Sequence, residues 1–411
     1  MPSTSISEIL SFEDARHCVE EHAARVRRPE IQTLGLLQAL GGVLAQPVMA
    51  DRDFPPFRRA TRDGFALHAA DLEKLPASLK VLGEVKAGAA SALTIGRGEA
   101  AAIMTGAPAP TGSDAIVMVE YTSTQGNQVE ITRGVKAGDN IVPKGAEARQ
   151  GQRLVASGAR VDHSVLALAA SAGMVQLTMY RKPRVALLAT GDEIVDVDDA
   201  PGDSQIRNSN SYSLAAQVQR AGGEAVILPV APDDSEKLRA LIERGLESDL
   251  LLLSGGVSAG RYDLVEPVLE ELNAEFFIRG AQIQPGKPVV FGRVKKNAEE
   301  KYFFGLPGNP ISTMVTFELF ARPMIEALGG EVPRKLTFLY ARLKSAITTR
   351  TGLTRFLPAI LSGEFADTEV ELAGWQGSGD IATMARANCY IVVPPDRERI
   401  AAGEWVAVLP R

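Results

Sequence analysis

Between residues 183 and 330 the chain alternates short apolar runs with longer segments of helical spacing. This alternation predicts a doubly wound α/β domain, in which helices cover both faces of a mainly parallel sheet. The predicted strands are 185–189, 225–230, 250–253, 276–278, 289–292 and 302–305. The predicted helices are 210–221, 234–245, 263–272 and 310–328. Ligands of such sheets bind beyond the carboxyl ends of the strands, so the loops 190–193, 231–234, 254–263 and 306–309 are expected to form one cleft.

The rest of the chain lacks this regular alternation of strands and helices. A capping box at Ser11–Asp14 predicts a first helix, and residues 29–44 are expected to form a second. Short β-rich runs broken by Gly, Pro, Asp and Asn predict an all-β module between residues 48 and 142. Helical spacing returns at 162–172. Beyond residue 331 the predicted strands are 338–343, 355–361, 389–393 and 405–409.

Composition limits the class of protein. At roughly 150 residues per domain, the 411 residues correspond to two to four domains. The chain has 44 basic and 50 acidic side chains, and this net charge of −6 disfavours a nucleic-acid partner. Two cysteines and four histidines make a disulfide framework or a His-rich metal site improbable. Without a signal peptide or a long apolar run, we expect a cytoplasmic protein with no membrane partner.

Two glycine-bearing turns suggest anion binding. The apolar run 250–253 leads into Ser254, Gly255, Gly256, Val257 and Ser258, whose backbone N–H groups are expected to surround phosphate oxygens. The alternative is a plain turn between strand and helix. At 306–310, the sequence Leu-Pro-Gly-Asn-Pro places an N-cap and a proline at a helix start, where unpaired N–H groups favour an anion. A purely structural helix start is the alternative there.

Carboxylates follow several of the predicted strands. They are Asp192, Glu193, Asp233, Asp234 and Asp263. Because Mg²⁺ prefers oxygen ligands and is often shared with substrate phosphates, these acids predict a metal-assisted phosphoanhydride site. Taken singly, each could instead be a helix cap or a solvated charge.

Several further segments contain charged or hydroxyl-bearing residues that are candidates for a functional role. Lys287 lies in a Pro-Gly-Lys-Pro frame that suits an oxyanion, although a solvated surface lysine is equally compatible. Loops around Asp63 and Thr105 interrupt the β-rich module. Ser378 is expected to cap a helix over 381–387, and Arg355 to add positive charge nearby. Ordinary turn chemistry is the alternative for these three places.

Together these segments resemble one family, the molybdopterin molybdenumtransferases, which comprise the MoeA proteins and the E domain of gephyrin. The matching segments are 60–66, 103–108, 189–193, 254–258 with Asp263, 285–288, 306–310 and 377–380. The resemblance implies an α/β molybdopterin-binding domain, a small helical linker domain, a β-rich arm and a C-terminal β-barrel. The corresponding residues are 1–26 with 178–330, 27–46 with 146–177, 47–145, and 331–411.

The resemblance also implies the reaction, which is Mg²⁺-dependent insertion of molybdate into adenylylated molybdopterin with release of AMP by a homodimer. The implied catalytic residues are Asp63, Thr105, Glu193, Asp233, Asp263 and Lys287. Asp233, Asp263 and Glu193 are the implied Mg²⁺ ligands. The implied substrate-binding residues are Ser254, Gly255, Gly256, Val257, Ser258, Pro307, Gly308, Asn309, Ser312, Arg355 and Ser378. Asp63 and Ser378 are implied to act across the dimer interface.

Two alternatives remain open from the sequence. The chain could be a molybdopterin adenylyltransferase, because that enzyme shares the Gly-Gly-Val-Ser turn, or a non-catalytic scaffold like gephyrin's E domain. A separate adenylyltransferase or a molybdoenzyme is a possible partner. Where family members often carry basic residues this chain has Gln284 and Gly280, so Lys287 and Arg279 are the candidate cations.

Overall fold

The computed structural model describes residues 9–88, 92–256, 264–296 and 299–411. It contains three six-stranded sheets and several two-stranded ladders. Along the described residues, no helix combines the length and the apolar character needed to cross a membrane.

The α/β part forms a six-stranded sheet whose strands alternate along the chain with helices. Its spatial strand order is Glu224–Ile227, Arg184–Ala189, Leu250–Ser254, Glu299–Leu306, Val290–Lys296 and Glu275–Arg279. The first four strands are parallel, and the last two are antiparallel to their neighbours. The helices are Phe12–Ala23, Ser209–Arg220, Ser235–Gly245, Val265–Glu271, Pro310–Thr316 and Arg322–Leu328, the last two joined by a π-helical turn at Phe317–Ala321.

Both faces of this sheet are buried. Leu250 and Leu252 pack in one apolar cluster with the helices Ser209–Arg220 and Pro310–Thr316. Leu251 and Leu253 pack in a second cluster on the opposite face. Because successive side chains of a strand point to opposite faces, a strand covered on both sides is apolar throughout. The doubly wound arrangement predicted from the sequence is therefore confirmed.

The β-rich arm and the linker part precede and interrupt this sheet. The arm sheet runs Ala115–Met118, Gly64–Leu67, Glu99–Ile103, Ala77–Val85, Gln128–Ile131 and Thr122–Gln125, with Arg59–Ala60 paired to Ile141–Val142 beside it. Short 3₁₀ turns cover Ala69–Leu72 and Val119–Tyr121. The linker part contains the helix His163–Ser171 and the strand Arg153–Val155, which pairs with Val48–Met49 at the start of the arm.

The second helix predicted near the amino terminus is wrong. Residues Ile31–Gly35 form a strand, antiparallel to Gln176–Tyr180, and Leu37–Ala39 make one 3₁₀ turn. The helical spacing of this segment is overridden by backbone pairing with a remote strand. Ile31 pairs with Tyr180, 149 residues later, and local periodicity cannot reveal such a partner.

The C-terminal part closes into a barrel. Five strands form the ring Thr354–Ser362, Glu369–Leu372, Leu339–Leu343, Trp405–Pro410 and Cys389–Val393, and the last pairs again with the first. A smaller pair, Ile347–Thr348 with Arg399–Ile400, a 3₁₀ turn at Phe365–Asp367 and the helix Ile381–Arg386 complete it. The predicted barrel is confirmed, and Glu369–Leu372 is the strand that the sequence analysis did not include.

Candidate functional site

A pocket opens at the carboxyl ends of three neighbouring parallel strands. Its volume is about 380 Å³, and we call it the strand-end pocket. It is lined by Thr190, Glu193, Ile194, Ile206, Arg207, Asn208, Ser209, Asn210, Gly255, Gly256, Pro288, Pro307, Gly308, Asn309 and Pro310. The loops after the strands Arg184–Ala189, Leu250–Ser254 and Glu299–Leu306 therefore converge, as parallel topology requires.

Close backbone approach explains one of the glycines in this pocket. Gly255 has φ +92°, and a Cβ atom there would lie 2.9 Å from the Thr190 carbonyl oxygen. A side chain at this position would therefore strain the turn and push the two loops apart. Ser254 ends the strand with its hydroxyl buried, and that hydroxyl has no hydrogen-bond partner among the described residues.

The backbone amides expected to bind an anion are partly used within the protein. Gly255 N–H donates to the Leu306 carbonyl at 3.1 Å, and Ile311 N–H donates to the Ser378 carbonyl at 3.0 Å. Asn309 precedes the helix Pro310–Thr316 as predicted, but its side chain makes no capping hydrogen bond. Val257 and Ser258 lie outside the described residues.

A single buried hydroxyl group, that of Thr313, fixes the loop that contains Pro307, Gly308 and Asn309. Thr313 is fully buried, and its Oγ1 donates to the Pro307 carbonyl, with the Asn309 carbonyl 3.0 Å away. This one side chain ties the helix to the loop that precedes it. The loop geometry therefore depends on a hydroxyl rather than on the proline ring alone.

Replacing Thr313 by valine tests this role. Valine keeps the shape but leaves the carbonyl of the buried Pro307 without this donor, whereas the Asn309 carbonyl keeps the Thr313 N–H, so the free energy of unfolding should fall by about 1–2 kcal/mol. Urea unfolding measures the change. Thr316→Val is the matched control, because the Oγ1 of Thr316 donates only to carbonyls within the same helix. A Thr313→Val protein as stable as the parent would contradict this role for the hydroxyl.

A second pocket adjoins the first. It has a volume of about 390 Å³ and shares Pro288 with the strand-end pocket, and we call it the Lys287 groove. Its lining is Ile283, Gln284, Pro285, Gly286, Lys287, Pro288, Ser312, Leu353, Trp375, Gly377 and Ser378. Lys287 is the only cation in this described lining. The groove also joins the α/β part to the C-terminal barrel within one chain.

The strand Ile283–Gln284 builds the wall of this groove by pairing with the barrel strand Thr354–Ser362. Arg355, the residue opposite Gln284, is buried. Its Nε donates to Gln284 Oε1 at 2.8 Å, and its Nη1 donates to the Leu353 carbonyl at 3.1 Å. Burial lowers the pKa of the Arg355 guanidinium from its usual value. Arg355 thus lies behind Gln284 and is absent from the lining, although the sequence analysis expected it to bind substrate.

The structure changes the expectations for Ser378 in the C-terminal segment and for Arg279 in the α/β part. Ser378 is not the helix cap, because Asp380 holds that position and accepts from the Thr383 N–H. Ser378 instead lines the Lys287 groove together with Lys287 and Ser312 of its own chain. Arg279 does not compensate for Gln284 or Gly280, because its guanidinium donates to Glu266 and Glu270, both at 2.6 Å.

The expected acidic residues do not all meet. Glu193 lines the strand-end pocket, whereas Asp233 does not. Asp233 follows the edge strand Glu224–Ile227, and its N–H donates to Asp192 Oδ1 at 3.0 Å. Asp263 lies outside the described residues. Within the part of the chain that is described, no group of three or more His, Cys, Asp or Glu side chains is placed to hold a metal ion.

Asp63 and Thr105 form a separate exposed pair on the arm. The Thr105 N–H donates to Asp63 Oδ1 at 2.5 Å, and this bond, with a lesser contribution from the Thr105 hydroxyl, lowers the pKa of the Asp63 carboxyl. Neither residue lines the two pockets described above.

The sequence analysis did not identify Ile194 or the lining residues 206–210, which include Arg207, Asn208 and Asn210. Asn208 caps the helix Ser209–Arg220 by accepting from the Ser211 N–H. Asn210 donates from Nδ2 to the Gly308 carbonyl at 2.7 Å, and its buried Oδ1 has no partner within the described chain. The signal available in the sequence was the run Asn-Ser-Asn at a predicted helix start.

Comparison with known proteins agrees with this architecture. The sequence model of the MoeA N-terminal region (domain I and II) matches residues 10–173, that of the probable molybdopterin binding domain matches 186–327, and that of the MoeA C-terminal region (domain IV) matches 340–410. A molybdopterin molybdenumtransferase from Nostoc sp. is 32% identical over 388 residues, which cover 92% of this chain and 88% of that protein. The chain belongs to the molybdopterin molybdenumtransferase family.

Further relatives of this enzyme family support the assignment. A molybdopterin molybdenumtransferase from Bacillus subtilis is 32% identical over 405 residues, covering 95% of this chain and 93% of that protein. The crystal structure of a molybdopterin biosynthesis MoeA protein from Pyrococcus horikosii matches with a TM-score of 0.72 and 32% identity, over 98% of this chain and 99% of that chain. The family belongs to molybdenum cofactor biosynthesis, and both pockets lie within the segments matched by its sequence models.

Proposed function

We propose that this protein inserts molybdate into adenylylated molybdopterin, with Mg²⁺ and release of AMP, as a cytoplasmic homodimer. The observation that supports this most directly is the pair of adjoining pockets that share Pro288. One pocket is large enough for part of a nucleotide-tagged pterin, and the other has a lysine and two serines suited to a small oxyanion. Their adjacency would bring the two substrates together.

In this proposal the oxyanion occupies the Lys287 groove. Lys287 offers a positive charge, and Ser312 and Ser378 offer hydroxyl donors in the same lining. Molybdate is a dianion that approaches an electron-rich dithiolene, so neutralising its charge lowers the barrier to joining them. The chain's own contribution is therefore positioning and charge stabilisation rather than a side-chain nucleophile.

The residues of the strand-end pocket fit a magnesium ion in part. Glu193 supplies a carboxylate in the lining, and Mg²⁺ commonly needs only one or two carboxylates together with phosphate oxygens and water. We propose Glu193 as its ligand in this lining, joined by Asp233 and Asp263. Asp233 lies outside the lining, and its N–H donates to Asp192 Oδ1 at 3.0 Å. When bound, the ion would withdraw charge from the phosphoanhydride that is broken.

The arm pair Asp63 and Thr105 is proposed to complete the site of a partner subunit. Both side chains are exposed and lie outside the strand-end pocket and the Lys287 groove of their own chain. The lowered pKa means that Asp63 remains ionised at neutral pH, and any stability that its bond to Thr105 contributes is lost only as the pH falls through the folded-state pKa.

Asp63→Asn should therefore lower AMP release by the same factor at pH 6 and at pH 8, about tenfold for one charge-assisted hydrogen bond. Initial rates at the two pH values measure this. Asp71→Asn is the control on the same arm, because Asp71 is paired with Arg97. A ratio of variant to parent that rises towards unity at pH 6 would contradict an ionised Asp63.

The decisive assay supplies adenylylated molybdopterin, Mg²⁺ and molybdate, and measures AMP. We expect release that depends on molybdate and is inhibited by tungstate. A parallel reaction with ATP and molybdopterin tests the adenylyltransferase alternative. Consumption of ATP without molybdate-dependent AMP release would replace the proposal by that alternative, and activity in neither reaction would favour a scaffold.

A further inference from the structure

Arg207 lines the strand-end pocket and is fixed there by a short strand pair and by two backbone carbonyl groups. The strand Ile206–Arg207 pairs in parallel with Ile194–Val195. The Nε of Arg207 donates to the carbonyl oxygens of Val197 at 3.1 Å and Asp199 at 3.2 Å. In the described part of the chain its two terminal amino groups have neither a hydrogen-bond nor an ion-pair partner. The guanidinium is thus anchored at one nitrogen and free at the other two.

The charges of the pocket make this arginine significant. Among the described lining residues Arg207 is the single cation and Glu193 the single carboxylate. The amides of Gly255 and Ile311 are already bonded to carbonyl groups. Within the described lining, Arg207 is therefore the side chain that supplies positive counter-charge to a phosphate.

We propose that Arg207 binds the adenylyl phosphate of the substrate and so selects adenylylated over unadenylylated molybdopterin. This inference rests on the function proposed above and adds a specificity-determining residue to it. A guanidinium offers two parallel N–H donors in a planar fork that matches phosphate oxygens, and the anchored Nε leaves those donors available. Its anchoring by loop carbonyls reduces the side-chain entropy lost when a ligand binds.

The test compares binding of AMP and of adenosine by calorimetry. Arg207→Met should weaken AMP at least about tenfold, the loss expected for charge-assisted hydrogen bonds, while adenosine binding stays unchanged. Arg207→Lys should fall between methionine and the parent. Arg220→Met is the matched control, because Arg220 lies at the exposed end of the helix Ser209–Arg220 and lines neither pocket.

Each result decides a separate point. If the parent binds AMP and Arg207→Met binds it equally well, the inference about Arg207 is wrong and the proposed function stands. If Arg207→Met weakens AMP and adenosine by the same factor, the residue supports the loop rather than the phosphate, which also overturns the inference. A parent protein that binds neither AMP nor adenylylated molybdopterin overturns the proposed substrate together with the inference.

Discussion

Lys287→Met is expected to reduce molybdate-dependent AMP release by about 10- to 100-fold at low molybdate, chiefly by raising the KM for molybdate. Lys287 is the only cation in the described lining of the Lys287 groove, and Arg355 lies behind Gln284. The structure therefore provides no second positive charge in that lining to replace it. Methionine retains the aliphatic stem, so the change removes charge with little loss of packing.

Steady-state rates over a range of molybdate concentrations measure this effect. Lys287→Arg should recover part of the lost affinity, because it restores the charge. Lys335→Met serves as the control, since Lys335 is exposed and lines neither pocket. An unchanged KM for molybdate in Lys287→Met would place the oxyanion outside the groove and would remove the main support for the proposed arrangement of substrates.

The α/β part was predictable because its signals are local. Leu250–Leu253 are apolar throughout, and such a run between helical segments has few structures other than a strand buried on both faces. The strand Ile31–Gly35 was not predictable in this way, because its partner Gln176–Tyr180 is remote in sequence. Glu369–Leu372 was missed for a similar reason, since a four-residue run becomes a strand only when the barrel closes around it.

Site residues on the loops after parallel strands were partly predictable. Glu193, Gly255 and Asn309 line the strand-end pocket as topology requires. Asp233 does not line this pocket, because the strand that precedes it lies at the edge of the sheet. The sequence alone does not reveal the position of that strand. The contact of Gln284 with Arg355 depends on pairing between two domains, and no local pattern predicts it. Arg207 was missed because a two-residue strand leaves no periodic signal.

A second large effect is expected for stability, where the linker, the α/β part and the segment leading into the barrel meet. Arg160 Nη1 donates to the Gly41 carbonyl and Nη2 to the Ala221 carbonyl, each at 2.9 Å. Nε donates to Glu331 at 3.1 Å, and the carboxylate of Glu331 is almost fully buried, with 4% of its side chain exposed. One guanidinium therefore joins three parts of the chain.

Arg160→Met should lower the free energy of unfolding by about 3 kcal/mol, because it leaves two carbonyls without donors and the buried Glu331 carboxylate with only the exposed Arg334 as its partner. Arg334→Met is the matched control. Arg334 also pairs with Glu331, at 2.6 Å, but 59% of its side chain is exposed, so its loss should cost less than about 1 kcal/mol. Urea unfolding followed by circular dichroism compares the two variants. Equal losses in both would mean that Glu331 depends on total positive charge rather than on the buried geometry around Arg160. A loss only in Arg160→Met would identify this arginine as the residue that fixes the linker against the α/β part.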